Sequence, residues 1–197
     1  IVFHLAAQPI VHRSYSDPLE TWSTNVMGTV NLLEACRRQP SVKAIIVITT
    51  DKCYDNKEWE WGYREIDQLG GHDPYSASKG CAELAFAAYQ RSFWQQGHLS
   101  VGVASVRSGN VIGGGDWGRY RIIPDCIRAM TAQENIQLRD PSAIRPWQHV
   151  LEPLSGYLWL GTLLLNHPSQ FSGAWNFGPS ETGQRSVQNL VEEFIRY

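Results

Sequence analysis

Ala44-Ile45-Ile46-Val47-Ile48-Thr49-Thr50-Asp51-Lys52 is an apolar run that ends abruptly in hydroxyls and charges. Its aliphatic stretch has no polar face, which is the pattern of a strand buried on both sides of a parallel sheet. In open sheets of that kind chemistry collects at the carboxyl ends of the strands, and here Thr50, Asp51 and Lys52 stand at such an end. Upstream, Ile1-Val2-Phe3-His4-Leu5-Ala6-Ala7 reads as a second buried strand. Between the two, a helix is expected from Asp17-Pro18 onward, with Leu19, Trp22, Val26, Val30 and Leu33 spaced to form one buried face. Downstream, a long polar and aromatic loop from Tyr54 to Asp73 leads to a helix that Pro74 is placed to start.

Alternation of strand and helix argues for an α/β doubly wound parallel sheet. Residues 100–106 read as a further strand. Beyond it the pattern becomes irregular, with Gly113-Gly114-Gly115, a short helix near 123–130, a strand near 136–138 and a Pro/Trp segment at 144–150. A helix from Glu152, a strand at 174–177 and a helix after Ser186 follow. The expected organisation is the second half of a Rossmann-like domain in residues 1–110, its first half missing. Residues 111–197 then form mainly a smaller, discontinuous C-terminal lobe, interleaved with elements that return to the sheet. Because the chain starts inside a strand pattern and stops inside a helical one, it reads as the interior of a longer protein.

Asp73-Pro74-Tyr75-Ser76-Ala77-Ser78-Lys79 puts a tyrosine and a lysine on one helical face. An ammonium beside a phenol favours phenolate and lowers a pKa that is ordinarily about 10, so the pair can act as a general base. Such a site usually works with a nicotinamide cofactor. Chance would supply about 0.16 such spacings in a chain of this composition, so the motif draws its weight from its neighbours.

Composition excludes several classes. The chain has 197 residues, 43% of them hydrophobic and 18% charged, enough apolar material for a core. A net charge of −2 gives no electrostatic case for nucleic acid or an anionic membrane. The apolar stretch Tyr157-Leu158-Trp159-Leu160-Gly161-Thr162-Leu163-Leu164-Leu165 is far too short for a membrane span and reads as a buried helix. Cys36, Cys53, Cys81 and Cys126 are widely spaced and read as reduced thiols of a cytoplasmic protein. The histidines show no metal-ligand spacing, and no basic leader marks the first residues as a secretory signal.

A dinucleotide fold normally opens with a glycine-rich turn after its first strand, followed by an acidic residue for the ribose. Neither occurs in these residues, so the adenosine and diphosphate half of such a cofactor is expected to find no site in them. Gly113-Gly114-Gly115 leads into Asp116-Trp117 rather than a helix start, and fails that role. The two alanines of His4-Leu5-Ala6-Ala7-Gln8 would instead let a flat ring or ribose approach the backbone, although composition alone favours simple tight packing beneath a helix.

Together, His4-Leu5-Ala6-Ala7, Thr24-Asn25-Val26-Met27-Gly28-Thr29, Thr50-Asp51, Tyr75 with Lys79, and Arg107-Ser108-Gly109-Asn110-Val111 resemble the extended short-chain dehydrogenase/reductase family over nearly the whole chain. Within it, the sugar-nucleotide dehydratase branch that acts on CDP-glucose is the most similar. That likeness rests on Thr50-Asp51-Lys52-Cys53-Tyr54-Asp55-Asn56, Gly109-Asn110-Val111-Ile112-Gly113-Gly114-Gly115-Asp116-Trp117, Arg145-Pro146-Trp147-Gln148-His149 and Trp175-Asn176-Phe177-Gly178-Pro179. Sister enzymes acting on dTDP-glucose usually carry Asp-Glu where this chain has Asp51-Lys52. Two departures from the branch are Ser108 in place of alanine and Tyr120 in place of an acidic residue.

The resemblance implies an NAD-dependent lyase acting by internal redox dehydration. Tyr75, aided by Lys79, would take the sugar 4-hydroxyl proton, and Thr50 would hydrogen-bond the 4-oxygen. Asp51 and Lys52 would serve the elimination, Lys52 as the C5 base or as a fixed charge acting on Asp51. Leu5, Ala6, Ala7, Tyr75, Lys79 and Ser108 would contact NAD. Asn110, Arg121, Arg145 and Asn176 would contact the nucleotide sugar, Arg121 alternatively being a solvated surface charge. No metal is expected, and the family suggests homodimers or tetramers. Trp59, Trp61 and Tyr63 could cover the sugar, form a subunit contact or pack the loop. Rival readings are an epimerase, decarboxylase or dTDP-sugar dehydratase on the same scaffold, and a non-catalytic dinucleotide-sensing module.

Overall fold

The structure, a computed structural model, describes residues 1–95, 101–180 and 184–196. In chain order the elements are β1 (Val2–His4), α1 (Val11–Ser16), α2 (Pro18–Trp22), α3 (Gly28–Arg37), β2 (Ala44–Ile48), α4 (Pro74–Tyr89), β3 (Gly102–Ser108), β4 (Val111–Ile112) and α5 (Ile122–Thr131). There follow β5 (Ile144–Pro146), β6 (Gln148–His149), α6 (Leu151–Asn166), α7 (Pro168–Phe171), β7 (Gly173–Phe177), β8 (Gln184–Ser186) and α8 (Val187–Arg196). A wide turn at Ser23–Met27 joins α2 to α3, and another at Gln90–Trp94 extends α4. The chain divides into two compact units, Ile1–Ser108 with Leu154–Phe177, and Gly109–Pro153 with Gly178–Tyr197.

The first unit is built on a four-stranded sheet of order β1-β2-β3-β7, every neighbouring pair parallel. Successive strands lie side by side with helical crossovers between them, so all four carboxyl ends share one edge. Side-chain alternation splits β2 between two cores. Ile45 and Val47 pack with Leu33, Phe86, Trp94 and Val103, while Ala44 and Ile46 pack on the other face with Ala104, Val106, Tyr157, Leu160 and Leu164. The aliphatic run of β2 is therefore buried on both faces, as its pattern requires. The apolar stretch of α6 is buried on one face only: Tyr157, Leu160 and Leu164 point inward while Leu158, Trp159 and Leu165 are exposed. Among the described residues no helix is long and apolar enough to cross a membrane.

One expected face is wrong. Leu19 is 81% exposed and Trp22 also reaches solvent, while the buried stripe runs Thr21, Asn25, Thr29, Leu33. Hydrogen bonds make this polar face a docking surface. Gln8 donates from its backbone N–H to Asn25 Oδ1 at 2.8 Å and from its side chain to Thr21 Oγ1 at 2.8 Å. Asn25 Nδ2 donates to Ser78 Oγ of α4 at 2.9 Å, and His4 Nε2 lies 3.1 Å from Thr29 Oγ1. Apolar spacing reports which groups avoid water, but a fully paired polar face can be buried just as well.

The second unit holds two small sheets, β4 parallel to β6 and β5 antiparallel to β8, with α5 and α8. The strand expected near 136–138 does not form; the small sheets pair β4 with β6 and β5 with β8 instead. The first residue of the triple glycine has a packing reason: a Cβ on Gly113 would fall 2.5 Å from Val150 Cγ1. Helix α5 begins only at Ile122, so the glycines do not lead directly into a helix. The expected strand at 100–106 is displaced to Gly102–Ser108, its first predicted residue, Ser100, lying outside the described residues.

Candidate active site

Where β2 ends, the chain turns at once. Thr50 is extended, accepts from Lys52 N–H at 3.3 Å and donates from its hydroxyl to Asp51 Oδ1 at 2.9 Å, capping the short turn Asp51–Cys53. Thr50 is buried, Asp51 half-buried and Lys52 exposed. Helix α4 starts as its sequence demands: Asp73 accepts from Ser76 N–H at 2.9 Å and from its hydroxyl at 2.6 Å, with Pro74 in the first turn. Its buried stripe is Tyr75, Lys79, Glu83 and Phe86.

Lys79 is 6% exposed, and its Nζ donates to the Ile48 carbonyl of β2 at 3.4 Å. Burial lowers its pKa to about 8, with the Glu83 carboxylate acting the other way. His4, at the end of β1, is held below its ordinary value by burial and then by the Lys79 charge. An ammonium this close to neutrality, under a strand end and one helical turn from a buried phenol, is the arrangement expected of a proton-transfer site.

This burial has a price in stability. An unfolded lysine holds its proton up to about 10.5 and the folded one only to about 8. Between those values the unfolded chain carries the extra proton, so stability rises with pH across that window, and the penalty is full below it. Lys79→Met is therefore expected to be more stable than the parent at pH 7, by up to about 3 kcal/mol, with the advantage vanishing toward pH 10.5. Thermal melts at the two pH values check this.

The remaining expected residues fall into two groups. Leu5 and Ala6 are exposed and Ala7 half-buried just beyond β1. Ser108 is buried at the end of β3, where its hydroxyl hydrogen-bonds Tyr157 OH, giving the serine that replaces alanine a partner inside the unit. Asn176 lies on β7, where its amide engages the 54–73 loop, accepting from Tyr54 OH at 2.6 Å and donating to the Tyr63 carbonyl at 2.8 Å. Thus the carboxyl edge of the first unit's sheet gathers Leu5, Ala6, Ala7, Thr50, Asp51, Lys52, Lys79, Ser108 and Asn176, with Tyr75 in the first turn of α4. Asn110, Arg121 and Arg145 belong to the second unit. There Arg121 pairs with Asp116 at 2.9 Å, the Asn110 carbonyl accepts from Gln148 N–H at 3.0 Å, and the exposed Arg145 donates to the Ile144 carbonyl at 2.9 Å.

Sequence reading missed a buried polar cluster beside the site. Glu83 accepts from Thr49 Oγ1 with one carboxylate oxygen, and from Ser105 Oγ at 2.8 Å and Arg107 Nη2 at 2.7 Å with the other. The signal was present: Glu83 continues the Tyr75/Lys79 spacing, and Arg107 interrupts an apolar strand. Trp59 and Trp61, by contrast, are exposed, with Trp59 and Tyr54 both packed on Tyr63. Among the described residues no cluster of His, Cys, Asp and Glu could hold a metal ion.

A parallel sheet that buries a lysine beneath its carboxyl edge, beside Thr50-Asp51 and a Tyr-x-x-x-Lys helix, makes this edge the candidate site. The chain belongs to the NAD dependent epimerase/dehydratase family, whose model matches residues 1–172. It is 52% identical over 198 residues to CDP-glucose 4,6-dehydratase of Salmonella typhimurium, covering 99% of this chain and 55% of that protein. To a trifunctional UDP-glucose 4,6-dehydratase, epimerase and reductase of Arabidopsis thaliana it is 32% identical, covering 99% of this chain and 28% of that protein. Among solved structures, dTDP-glucose 4,6-dehydratase from Bacillus anthracis in complex with NAD matches with a TM-score of 0.76 at 25% identity, over 99% of this chain and 56% of that one. The chain thus spans little more than half the length of its dehydratase relative from Salmonella.

Proposed function

We propose that this chain carries the catalytic residues of an NAD-dependent sugar-nucleotide 4,6-dehydratase that converts CDP-glucose to CDP-4-keto-6-deoxyglucose. The observation that carries the reading is Lys79, buried under the end of β2 beside Thr50-Asp51-Lys52, on the helix that also buries Tyr75. The 52% identity to a CDP-glucose dehydratase, over a stretch that includes these residues, supports CDP-glucose as the substrate. In this reading residues 1–110 supply cofactor binding and catalysis, residues 111–197 supply mainly substrate binding, and the protein works as a homodimer or tetramer in the cytoplasm.

The residues present fit the nicotinamide side of NAD. Just past β1, Ala6 and Ala7 offer a small-residue, partly exposed surface on the same edge as Lys79. Leu5, Ala6, Ala7, Tyr75, Lys79 and Ser108 would hold it. When bound, NAD would supply a reversible hydride acceptor for the sugar carbons. Tyr75 removes the 4-hydroxyl proton, its phenolate favoured by the Lys79 ammonium. Thr50, released from Asp51, donates to the 4-oxygen. Once C4 is a ketone the C5 proton is acidic; Lys52 removes it or stabilises the enolate, and Asp51 protonates the departing C6 hydroxide. Each well-placed acid or base contributes about 10²–10⁴-fold. Arg145, exposed and carrying a planar fork, suits the diphosphate, with Arg121, Asn110 and Asn176 as further substrate contacts.

Purified enzyme supplied with NAD is expected to convert CDP-glucose to its 4-keto-6-deoxy product without net NADH. CDP-glucose should exceed dTDP-glucose and UDP-glucose in kcat/KM by about tenfold or more. Turnover of dTDP-glucose with CDP-glucose inert would reassign the substrate, and a 4-epimer as product would reassign the reaction.

A further inference from the structure

Tyr54 ends the segment that follows β2, and three separate elements meet at its hydroxyl. Arg107 Nη1 of β3 donates to it at 2.7 Å, and it donates to Asn176 Oδ1 of β7 at 2.6 Å. The Arg107 guanidinium also lies 5.0 Å from the centroid of the Tyr54 ring and donates to the Glu65 carbonyl at 3.0 Å. Its other arm holds Glu83 of α4, whose carboxylate in turn accepts from Thr49. Both partners of this ion pair are nearly dry, at 4% and 1% side-chain exposure. The two ends of the stretch from Thr49 to Tyr54 are thus tied to one buried pair, and Thr50, Asp51 and Lys52 lie between the ties.

Close packing completes the clamp. A Cβ on Gly80 of α4 would come within 3.3 Å of the Cys53 carbonyl, so the helix rests directly on the turn. That carbonyl accepts from Gly70 N–H at 2.9 Å, and Tyr54 bridges to Leu69, which closes the loop between them. Cys53 itself is fully buried. The arrangement leaves Arg107 Nε, buried, without a hydrogen-bond partner among the described residues, a cost that tighter pairing elsewhere has to offset.

We propose that Glu83, Arg107 and Tyr54 are positioning residues, which lock the Thr50-Asp51-Lys52 segment against the helix bearing Tyr75 and Lys79 and anchor the 54–73 loop to β7 through Asn176. None of the three touches the reacting atoms in this scheme; they act by fixing the residues that do. The catalytic half of the inference rests on the dehydratase reading above. A displacement of about 1 Å in a reacting group can cost a hundredfold in rate, so the lock acts on kcat rather than on substrate affinity.

The test uses Tyr54→Phe, which keeps the ring and the ion pair but removes the central hydroxyl. A second variant, Glu83→Gln combined with Arg107→Met, removes both charges together, because a lone buried charge would endanger folding. Each is read in two ways in the active enzyme. Alkylation by iodoacetamide, followed by peptide mass spectrometry, compares Cys53 with Cys36 and Cys126, which are also buried. The lock predicts Cys53 modified about tenfold faster while Cys36 and Cys126 keep parental rates, because only the local segment opens. It also predicts kcat down about ten- to a hundredfold with KM within about twofold. Parental protection of Cys53, or equal acceleration at all three thiols, would overturn it. Should the parent fail to turn over CDP-glucose, the substrate reading falls, while the labelling still decides whether the segment is locked.

Discussion

Tyr75→Phe is expected to lower kcat by about 10²–10⁴-fold while leaving KM for CDP-glucose within a few-fold. The phenol matters only as charge develops on the 4-oxygen, so its loss appears in the transition state and not in ground-state binding. Removing one oxygen from a ring that is 7% exposed leaves the packing of α4 in place, and an unchanged melting temperature would confirm that. Steady-state kinetics with CDP-glucose and a thermal melt make the comparison. A variant with parental kcat would take Tyr75 out of the mechanism.

Lys52→Met should separate the two halves of the reaction. Oxidation at C4 depends on Tyr75, Lys79 and Thr50, whereas elimination across C5 and C6 depends on Asp51 and Lys52. If Lys52 is the C5 base, the variant oxidises bound sugar once, and a 4-keto hexose accumulates with enzyme-bound NADH. Exchange of the C5 proton with deuterated water is then lost, and product formation falls by about 10²–10⁴-fold. If Lys52 instead acts as a fixed charge on Asp51, exchange persists at a reduced rate. Lys52 is exposed in this structure, so a lysine base would need the bound sugar to exclude water from it. Near-parental formation of the 4-keto-6-deoxy product would contradict both roles.

Some of this was legible in the chain because local rules coincide there. The run Ala44-Ile45-Ile46-Val47-Ile48 has no polar face and can only be buried on both sides, and Asp73-Pro74 supplies both the cap and the first turn of α4. Tyr75 and Lys79 then share a face by spacing alone. The helices after Asp17 misled for a physical reason: their buried stripe is Thr21, Asn25 and Thr29, satisfied by Gln8, Ser78 and His4, partners far apart in sequence. Hydropathy cannot see a polar group whose hydrogen bonds are all made inside. The same blindness hid Glu83 and Arg107, whose meaning lies in a contact between α4 and β3. Asn176 carries a further role that spacing could not show: its amide also holds the loop from Tyr54 to Asp73.

Hydrogen at C4 is expected to move to C6 within one sugar. CDP-glucose deuterated at C4, incubated with the enzyme and NAD and followed by mass spectrometry and deuterium NMR, reads this directly. An internal redox dehydration predicts CDP-4-keto-6-deoxyglucose carrying the deuterium on its C6 methyl, with no net NADH. Deuterium lost to a stoichiometric pool of reduced cofactor, or retained at C4 of an epimerised hexose, would contradict it.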